Sequence, residues 1–282
     1  MMSELIAIKD LEKHYTIKKS GVVDGKKVSK QIVKAVDGVS FSLEEGETLG
    51  IIGESGCGKT TLGRVLVNLE QATGGSVSYN GKTAKELLKE DRLGFHKMFQ
   101  MVFQNPFDTF DSRQRIHNIL MDPLKLHKIG NTDEERLEIC KKALEDGGLS
   151  PAEQYLSRFP HELSGGQLQR VSIIRAMLLK PKFLVADEPV SMLDVSIRGE
   201  IIKMLQDMTQ KEKTTLIFIS HDIATTQYIS DRIIVMYYGK IVETGKTDEV
   251  LNNPQHDYTK LLINSVASVD PRKSKRRIQK NV

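Results

Sequence analysis

Three glycines, a lysine and a threonine fall within eight positions of this chain, in the order Gly-Glu-Ser-Gly-Cys-Gly-Lys-Thr at 53–60. The order fits the pattern G-x-x-x-x-G-K-[ST]. Residues 49–52 before it are apolar and predict a buried strand, and residues 59–69 predict a helix. Backbone N–H groups of such a loop can turn inward, and the helix N-terminus adds positive potential. The segment therefore predicts a phosphate-binding loop. A plain glycine turn that leaves Lys59 exposed is the alternative, which the complete pattern disfavours.

The side chains of this loop suit a nucleotide that carries Mg²⁺. Lys59 supplies a positive charge for the β- and γ-phosphates, and the Thr60 hydroxyl is a candidate Mg²⁺ ligand. Cys57 is either a reactive thiol at a helix N-terminus or, as we prefer, a small residue that fits the loop. The predicted nucleotide-binding residues of the segment are Gly53, Glu54, Ser55, Gly56, Cys57, Gly58, Lys59, Thr60 and Thr61.

Two acidic residues follow a second apolar run, at 183–186. The run predicts a buried strand that ends at Asp187 and Glu188, and ligand sites of α/β proteins form at the carboxyl ends of strands. Asp187 is then placed to ligate Mg²⁺, and Glu188 to accept a proton from an attacking water or to orient it. Acids that cap the next helix are the alternative.

A second glycine-rich segment begins at Ser164, followed by Gly165, Gly166 and Gln167. Ser164 is a favourable N-cap, and the start of the helix after it is a second anion site. Since the chain already has a phosphate loop, two such sites suggest a nucleotide shared between two chains. Taken alone, Ser-Gly-Gly is also a common loop sequence.

Composition excludes several classes of protein. Cys57 and Cys140 are the only cysteines, too few for a disulfide framework or an all-cysteine metal site. No apolar run is long enough to span a membrane, and charges within the first ten residues break any signal peptide, so we expect a soluble intracellular protein.

Charge also limits the possible partners. The chain has 41 basic and 37 acidic side chains, but six basic ones and no acidic one follow Pro271. The remaining 35 basic side chains nearly balance the acids, so nucleic acid is not an expected partner. The basic tail is either a solvated end or a contact with anionic lipid or RNA.

The predicted elements alternate between strand and helix around a helical middle. Strands are expected at 5–8, 49–52, 183–186, 215–219 and 233–237, and residues 18–31 are expected to form a hairpin loop. Strands separated by helices imply a mostly parallel sheet. We predict four regions: β structure and the first part of a nucleotide-binding core at 1–90, a helical subdomain at 91–165, the second part of the core at 166–250, and an extension with the basic tail at 251–282.

These motifs together resemble the ATP-binding subunits of ABC transporters over nearly the whole chain. Leu163-Ser164-Gly165-Gly166-Gln167 matches the LSGGQ signature of that family, residues 53–60 its Walker A motif and residues 183–188 its Walker B motif. The resemblance implies a P-loop NTPase fold: a RecA-like parallel core, an N-terminal antiparallel β subdomain and an inserted helical subdomain. It also implies that ATP and Mg²⁺ bind.

Further positions match the family in order. Tyr15 is similar to the aromatic residue that stacks on adenine, and Gln104 to the Q-loop glutamine that senses Mg²⁺ and water. His221 is similar to the switch histidine that contacts the γ-phosphate. With Glu188, Gln104 and His221 are thus the implied catalytic residues, and Thr60, Gln104 and Asp187 the implied metal residues. Residues 191–194 resemble the D-loop, where Met192 replaces a more usual alanine.

Looser matches indicate the subfamily of oligopeptide, dipeptide and nickel importers. They lie at 35–41, at 159–162 and at 253–259. For residues 256–259 a loop that leads into a helix capped by Asp257 is the local alternative. The C-terminal cysteine cluster of some members is absent, so the chain resembles the partner that lacks an iron–sulfur cluster.

The resemblance implies an ATPase that energises import of peptides at the cytoplasmic face of the membrane. Two ATPase chains would close on ATP, and the subfamily favours a different chain as the second, although a homodimer is allowed. Two permease subunits and an extracytoplasmic solute-binding protein would complete the transporter. Nickel or another metal chelate as cargo, an exporter-type or lipid-extracting ATPase, and an ABC ATPase that acts on ribosomes or DNA are the alternatives. The cargo and the effect of Met192 are not determined by the sequence.

Overall fold

A computed structural model describes residues 4–17, 21–23, 26–28 and 31–267. The basic tail after Pro271 lies outside these residues, and so does part of the predicted hairpin loop at 18–31. Within the described part of the chain, no helix is both long and apolar enough to cross a membrane.

Strands and helices follow one another along the whole described chain. The described strands are β1 (Glu4–Ile17), β2 (Gly21–Val23), β3 (Lys26–Val28), β4 (Gln31–Glu44), β5 (Thr48–Ile52), β6 (Gly74–Tyr79), β7 (Lys82–Thr83), β8 (Phe99–Val102), β9 (Phe183–Asp187), β10 (Thr215–Ile219), β11 (Arg232–Tyr237) and β12 (Lys240–Lys246). The described α-helices are α1 (Lys59–Leu66), α2 (Ala84–Glu90), α3 (Arg92–Met98), α4 (Ile116–Leu126), α5 (Asp133–Asp146), α6 (Ala152–Leu156), α7 (Gly165–Met177), α8 (Val195–Glu212), α9 (Ile223–Ile229), α10 (Thr247–Asn252) and α11 (Asp257–Ala267).

A six-stranded sheet forms the centre of the molecule, in the order β12-β11-β5-β10-β9-β8. Neighbouring strands from β11 to β8 are parallel, and β12 pairs antiparallel with β11. Every residue of β9 and β10 is buried, as expected for strands covered on both faces. The predicted mostly parallel sheet is thus confirmed, and β5 carries the glycine-rich loop into its middle.

The N-terminal strands form a second, antiparallel sheet in the order β4-β1-β6-β7. β1 and β4 pair from Glu4 with Glu44 to Ile17 with Gln31, so residues 18–30 connect two antiparallel strands as predicted. Within that connection, β2 and β3 form a small antiparallel pair. Ile6 and Leu43 share one buried cluster with Leu62 of α1, so the two sheets pack around a common core.

Helices α4 to α7 enclose a core of their own, which includes Ile116, Cys140 and Leu168. No strand is expected from the sequence at the start of the predicted helical subdomain at 91–165, but β8 lies there and pairs in parallel with β9. The polar Gln100 interrupts the apolar sequence of β8, so the local pattern does not predict a strand. Phe99 of β8 packs against Phe95 and Tyr79. The domain limits at 90 and 165 stay predictions.

Two predicted helix ends differ from the structure. α1 ends at Leu66 rather than near Leu69, because Asn68 adopts a left-handed backbone conformation with φ of 57°. α11 begins at Asp257, but its first turn is capped by the preceding residue: the Tyr258 N–H donates to Nδ1 of His256 over 3.1 Å. The structure thus has the loop that leads into a helix, as in the local alternative, but His256 caps the helix rather than Asp257.

Candidate nucleotide site

The phosphate loop joins β5 to α1 through glycines that other residues cannot easily replace. Gly53 and Gly58 have φ of 150° and 108°. A Cβ atom on Gly58 would lie 1.9 Å from the carbonyl oxygen of Ala35, and one on Gly53 would lie 2.3 Å from that of Met236. The loop is thus enclosed by the backbones of β4 and β11, which approach because these positions have no side chain.

Lys59, at the start of α1, is buried under this loop with 4% of its surface exposed. Its ammonium group donates to the carbonyl oxygens of Gly53 over 2.7 Å and of Glu54 over 2.9 Å. A cavity of about 560 Å³ opens at the same place. Its lining consists of Gly53, Glu54, Ser55, Gly56, Gly58, Lys59, Thr60 and Thr61 of the loop together with Ala35, Gln104, Glu188, His221 and Leu262.

A hydroxyl and a carboxylate meet beside the cavity, where β9 ends next to α1. The Thr60 hydroxyl donates to Oδ1 of Asp187 over 3.0 Å. Burial raises the pKa of Asp187 above its usual range, and the hydrogen bond from Thr60 offsets only part of that effect. Hydroxyl and carboxylate oxygens are suitable ligands for Mg²⁺, and a cation would compensate the buried negative charge. The residues present thus fit a magnesium ion.

The three catalytic candidates meet at one carboxylate oxygen. Nε2 of Gln104 lies 3.0 Å from Oε2 of Glu188, and Nδ1 of His221 lies 3.2 Å from the same oxygen. Glu188 has a φ of 45°, unusual for a residue other than glycine, and its side chain is 15% exposed. Gln104 also donates to the Ser191 hydroxyl over 3.3 Å, a contact that the sequence analysis did not anticipate.

The second glycine-rich segment lies apart from this cavity. Ser164 caps α7: its Oγ accepts the N–H of Gln167 over 3.3 Å, and Oε1 of Gln167 accepts the N–H of Ser164 over 3.0 Å. The predicted N-cap is confirmed. Ser164 is exposed, and residues 164–167 are not among the described residues that line the nucleotide cavity.

Tyr15 also lies outside the described lining of the cavity. Its hydroxyl donates to the Glu70 carboxylate, and the ammonium group of Lys13 lies 5.0 Å from the centre of its ring. The neighbouring Thr61 hydroxyl interacts with the Tyr15 hydroxyl and so connects it to the start of α1. The role of Tyr15 in adenine binding stays a prediction.

The structure adds two contacts to the loop that no motif indicates. The Glu54 N–H donates to the hydroxyl of Tyr258 over 2.9 Å, and Leu262 of the same helix lines the cavity. Burial raises the pKa of the Cys57 thiol, and the nearby Lys59 offsets this only in part. This favours the interpretation of Cys57 as a small packing residue over that of a reactive thiol.

The parallel sheet, the glycine loop after its central strand and the lysine under that loop define a P-loop nucleotide-binding protein. Residues 36–191 match the family model described as ABC transporter, and residues 242–282 match the one described as the C-terminal region of oligopeptide/dipeptide transporters. The chain therefore belongs to the ATP-binding subunits of ABC transporters. It binds and hydrolyses ATP as a member of that family, as the sequence predicts.

Relatives and solved structures agree with this assignment. The chain is 39% identical over 285 residues to the oligopeptide transport ATP-binding protein OppF of Bacillus subtilis, covering 99% of this chain and 88% of that protein. It is 40% identical over 283 residues to the dipeptide transport ATP-binding protein DppF of Escherichia coli, covering 99% and 81%. The dimeric structure of a post-hydrolysis state of the ATP-binding cassette MJ0796, bound to ADP and Pi, superimposes with a TM-score of 0.74 at 26% identity, over 86% of this chain and 99% of that one. The predicted P-loop NTPase fold is thus confirmed.

Proposed function

We propose that this chain is the ATP-hydrolysing subunit of an importer for oligopeptides or dipeptides. The match of residues 242–282 to the C-terminal region of oligopeptide/dipeptide transporters carries the proposal, since the ATP-binding core alone is common to transporters of many solutes. The relatives from Bacillus subtilis and Escherichia coli, whose names specify oligopeptide and dipeptide transport, support it.

In the proposed reaction the phosphate loop holds the triphosphate of ATP. Lys59 turns from the carbonyl oxygens of Gly53 and Glu54 to the β- and γ-phosphates, and the loop N–H groups bind the remaining oxygens. Thr60 and Asp187 would hold Mg²⁺, which would supply positive charge against the phosphates. Catalysis of this kind depends mostly on positioning and on charge.

Glu188 accepts a proton from the attacking water or orients it. Gln104 and His221 support this role because both contact the same carboxylate oxygen and fix its direction. His221 remains close enough to reach the γ-phosphate side of the cavity, which it lines. Movement of Gln104 on loss of the γ-phosphate would carry the signal to the helical region of 106–162.

We further propose that each ATP is held between two ATPase chains. Ser164, Gly165, Gly166 and Gln167 supply the second anion site. They lie outside the chain's own cavity and Ser164 is exposed, which supports a role toward a partner. The partner is a different ATPase chain or a second copy. Two permease subunits, and a solute-binding protein outside the membrane, complete the transporter, so that this chain lies at the cytoplasmic face.

The experiment that tests the proposal is purification of the transporter from native membranes through a tagged Glu188→Gln chain in ATP. Mass spectrometry should identify two permeases and a solute-binding protein, and that protein should gain thermal stability from di- to pentapeptides. Stabilisation by a nickel chelate and by no peptide would contradict the peptide assignment. Recovery of ribosomal or DNA-associated proteins without a permease would contradict transport itself.

A further inference from the structure

The C-terminal segment reaches the phosphate loop through one hydrogen bond. The backbone N–H of Glu54, second residue of the loop, donates to the hydroxyl of Tyr258 over 2.9 Å, although the two residues are 204 positions apart. Tyr258 lies in the first turn of α11. Tyr258 belongs to the subfamily motif at 253–259, which predicts no role for this residue.

The Tyr258 side chain is held firmly in place. It is 8% exposed and packs with its ring centre 4.1 Å from that of Tyr237, at the end of β11. Ile52, at the end of β5 and next to the loop, belongs to the same buried cluster. A phenol fixed in this way offers its oxygen at a constant position, which a mobile surface side chain would not.

The turn before α11 is anchored by a charged residue of the central sheet. The two carboxylate oxygens of Glu243, in β12, accept the N–H groups of Gln255 over 2.7 Å and of His256 over 3.0 Å. β12 therefore fixes the turn at 255–256 through Glu243, and this turn fixes Tyr258 through the hydrogen bond from the Tyr258 N–H to His256. Leu262, one helical turn further, lines the nucleotide cavity.

Glu54 has a second contact besides the one with Tyr258: its carbonyl oxygen accepts a hydrogen bond from the Lys59 ammonium group. When the Lys59 ammonium group is shared with phosphates, this contact weakens and the bond to Tyr258 remains. We propose that Tyr258 is a positioning residue of the phosphate loop, which fixes Glu54 so that the loop keeps its phosphate-binding shape. The C-terminal segment thereby takes part in ATP binding. This inference rests on the proposed role of the phosphate loop.

The test is the Tyr258→Phe variant of the full chain, which loses the hydroxyl and keeps the packed ring. Loss of one neutral hydrogen bond predicts an ATP Kd about threefold to tenfold higher. Hydrogen exchange of the Glu54 amide, followed by NMR without nucleotide, should become faster to a similar extent. Glu243→Gln weakens the anchor of the turn and should give the same two changes, each smaller.

Tyr79→Phe is the matched control. The Tyr79 hydroxyl is also buried and donates to the carbonyl oxygen of Leu66, at the far end of α1, over 2.6 Å. This variant should lose comparable thermal stability while its ATP Kd and Glu54 exchange stay unchanged. Equal effects of both tyrosine variants on the Kd, or no change in the Kd and Glu54 exchange of Tyr258→Phe, would overturn the inference. Absence of ATP binding by the wild-type chain would instead contradict the proposed function, and this inference with it.

Discussion

The phosphate loop and the segment at Ser164 both contain glycines and both lead into a helix, but they differ in how far the rest of the chain encloses them. The phosphate loop is enclosed by Ala35, Met236 and Tyr258, and the lysine beneath it is 4% exposed. Ser164 is exposed and exchanges hydrogen bonds with Gln167 of its own helix. A helix N-terminus binds anions in either setting, so the difference lies in what surrounds it.

This difference indicates which half of the proposed site the chain completes alone. The phosphate loop already has an acid, a glutamine and a histidine around its cavity. In the segment at 164–167 the helix cap is already formed and Ser164 is exposed, as expected of a residue that meets another molecule.

The largest effect is expected on the phosphate-loop side, from Glu188→Gln. Loss of a general base should lower ATP hydrolysis by the purified transporter by about 10²–10⁴-fold, whereas ATP binding should change little. Comparison of steady-state hydrolysis with an ATP titration measures both. Glu138→Gln, on the exposed face of α5, should leave both unchanged. Rapid hydrolysis by Glu188→Gln would remove Glu188 from its proposed role.

A glycine substitution in each segment tests their different enclosure. Gly58→Ala should lower the free energy of unfolding by about 1–3 kcal/mol, because its backbone conformation is strained for alanine and the new Cβ meets a carbonyl oxygen. In Gly166→Ala the new Cβ lies 3.1 Å from a side-chain atom of Ile197, and alanine favours the helix. Its unfolding free energy should therefore stay within about 1 kcal/mol of wild type. Urea denaturation measures both, and equal losses would refute the contrast.

The smallest effect concerns the pH dependence of stability through Asp187. Because its pKa is raised above 3.8 in the folded chain, the folded state binds this proton more tightly than the unfolded state. The contribution to stability is thus lost as pH rises through the raised pKa. Asp187→Asn should give a higher Tm than wild type at pH 7.5, and the gap should narrow as the pH is lowered toward 4.

Asp133 provides the control of opposite sign. Hydrogen bonds from Lys125 and Arg136 hold its pKa below the usual range, so Asp133→Asn should not raise the Tm at neutral pH. A Tm of Asp187→Asn below that of wild type at pH 7.5 would show that the buried carboxylate does not carry the cost assigned to it.

Local sequence predicts much of this molecule because its apolar runs are uninterrupted. The strand at 215–219 has the predicted limits, and the acids Asp187 and Glu188 follow a buried strand as expected. β8 is missed because Gln100 breaks its apolar pattern, and packing of Phe99 with distant aromatic residues provides what the local sequence lacks.

Some contacts of the site can likewise be predicted from the sequence, and others cannot. The sequence predicts Thr60 and Asp187 as ligands of one Mg²⁺ ion, and the hydrogen bond between them agrees with that prediction. The family resemblance implies catalytic roles for Gln104 and His221, but their contacts with the Glu188 carboxylate are found only in the structure. The bond between Glu54 and Tyr258 joins residues 204 positions apart, and no local pattern indicates a contact of that kind.

The most direct test of the central claim, that Ser164 completes an ATP site of another chain, is ATP-dependent capture of a second ATPase. A tagged Glu188→Gln chain is purified from native membranes with and without ATP, and the second ATPase is quantified by mass spectrometry. Addition of Ser164→Arg should abolish the increase caused by ATP, while ATP binding to the isolated chain persists. Thr132→Arg removes a comparable helix cap, at α5, and should preserve the increase. An increase that survives Ser164→Arg would contradict the claim.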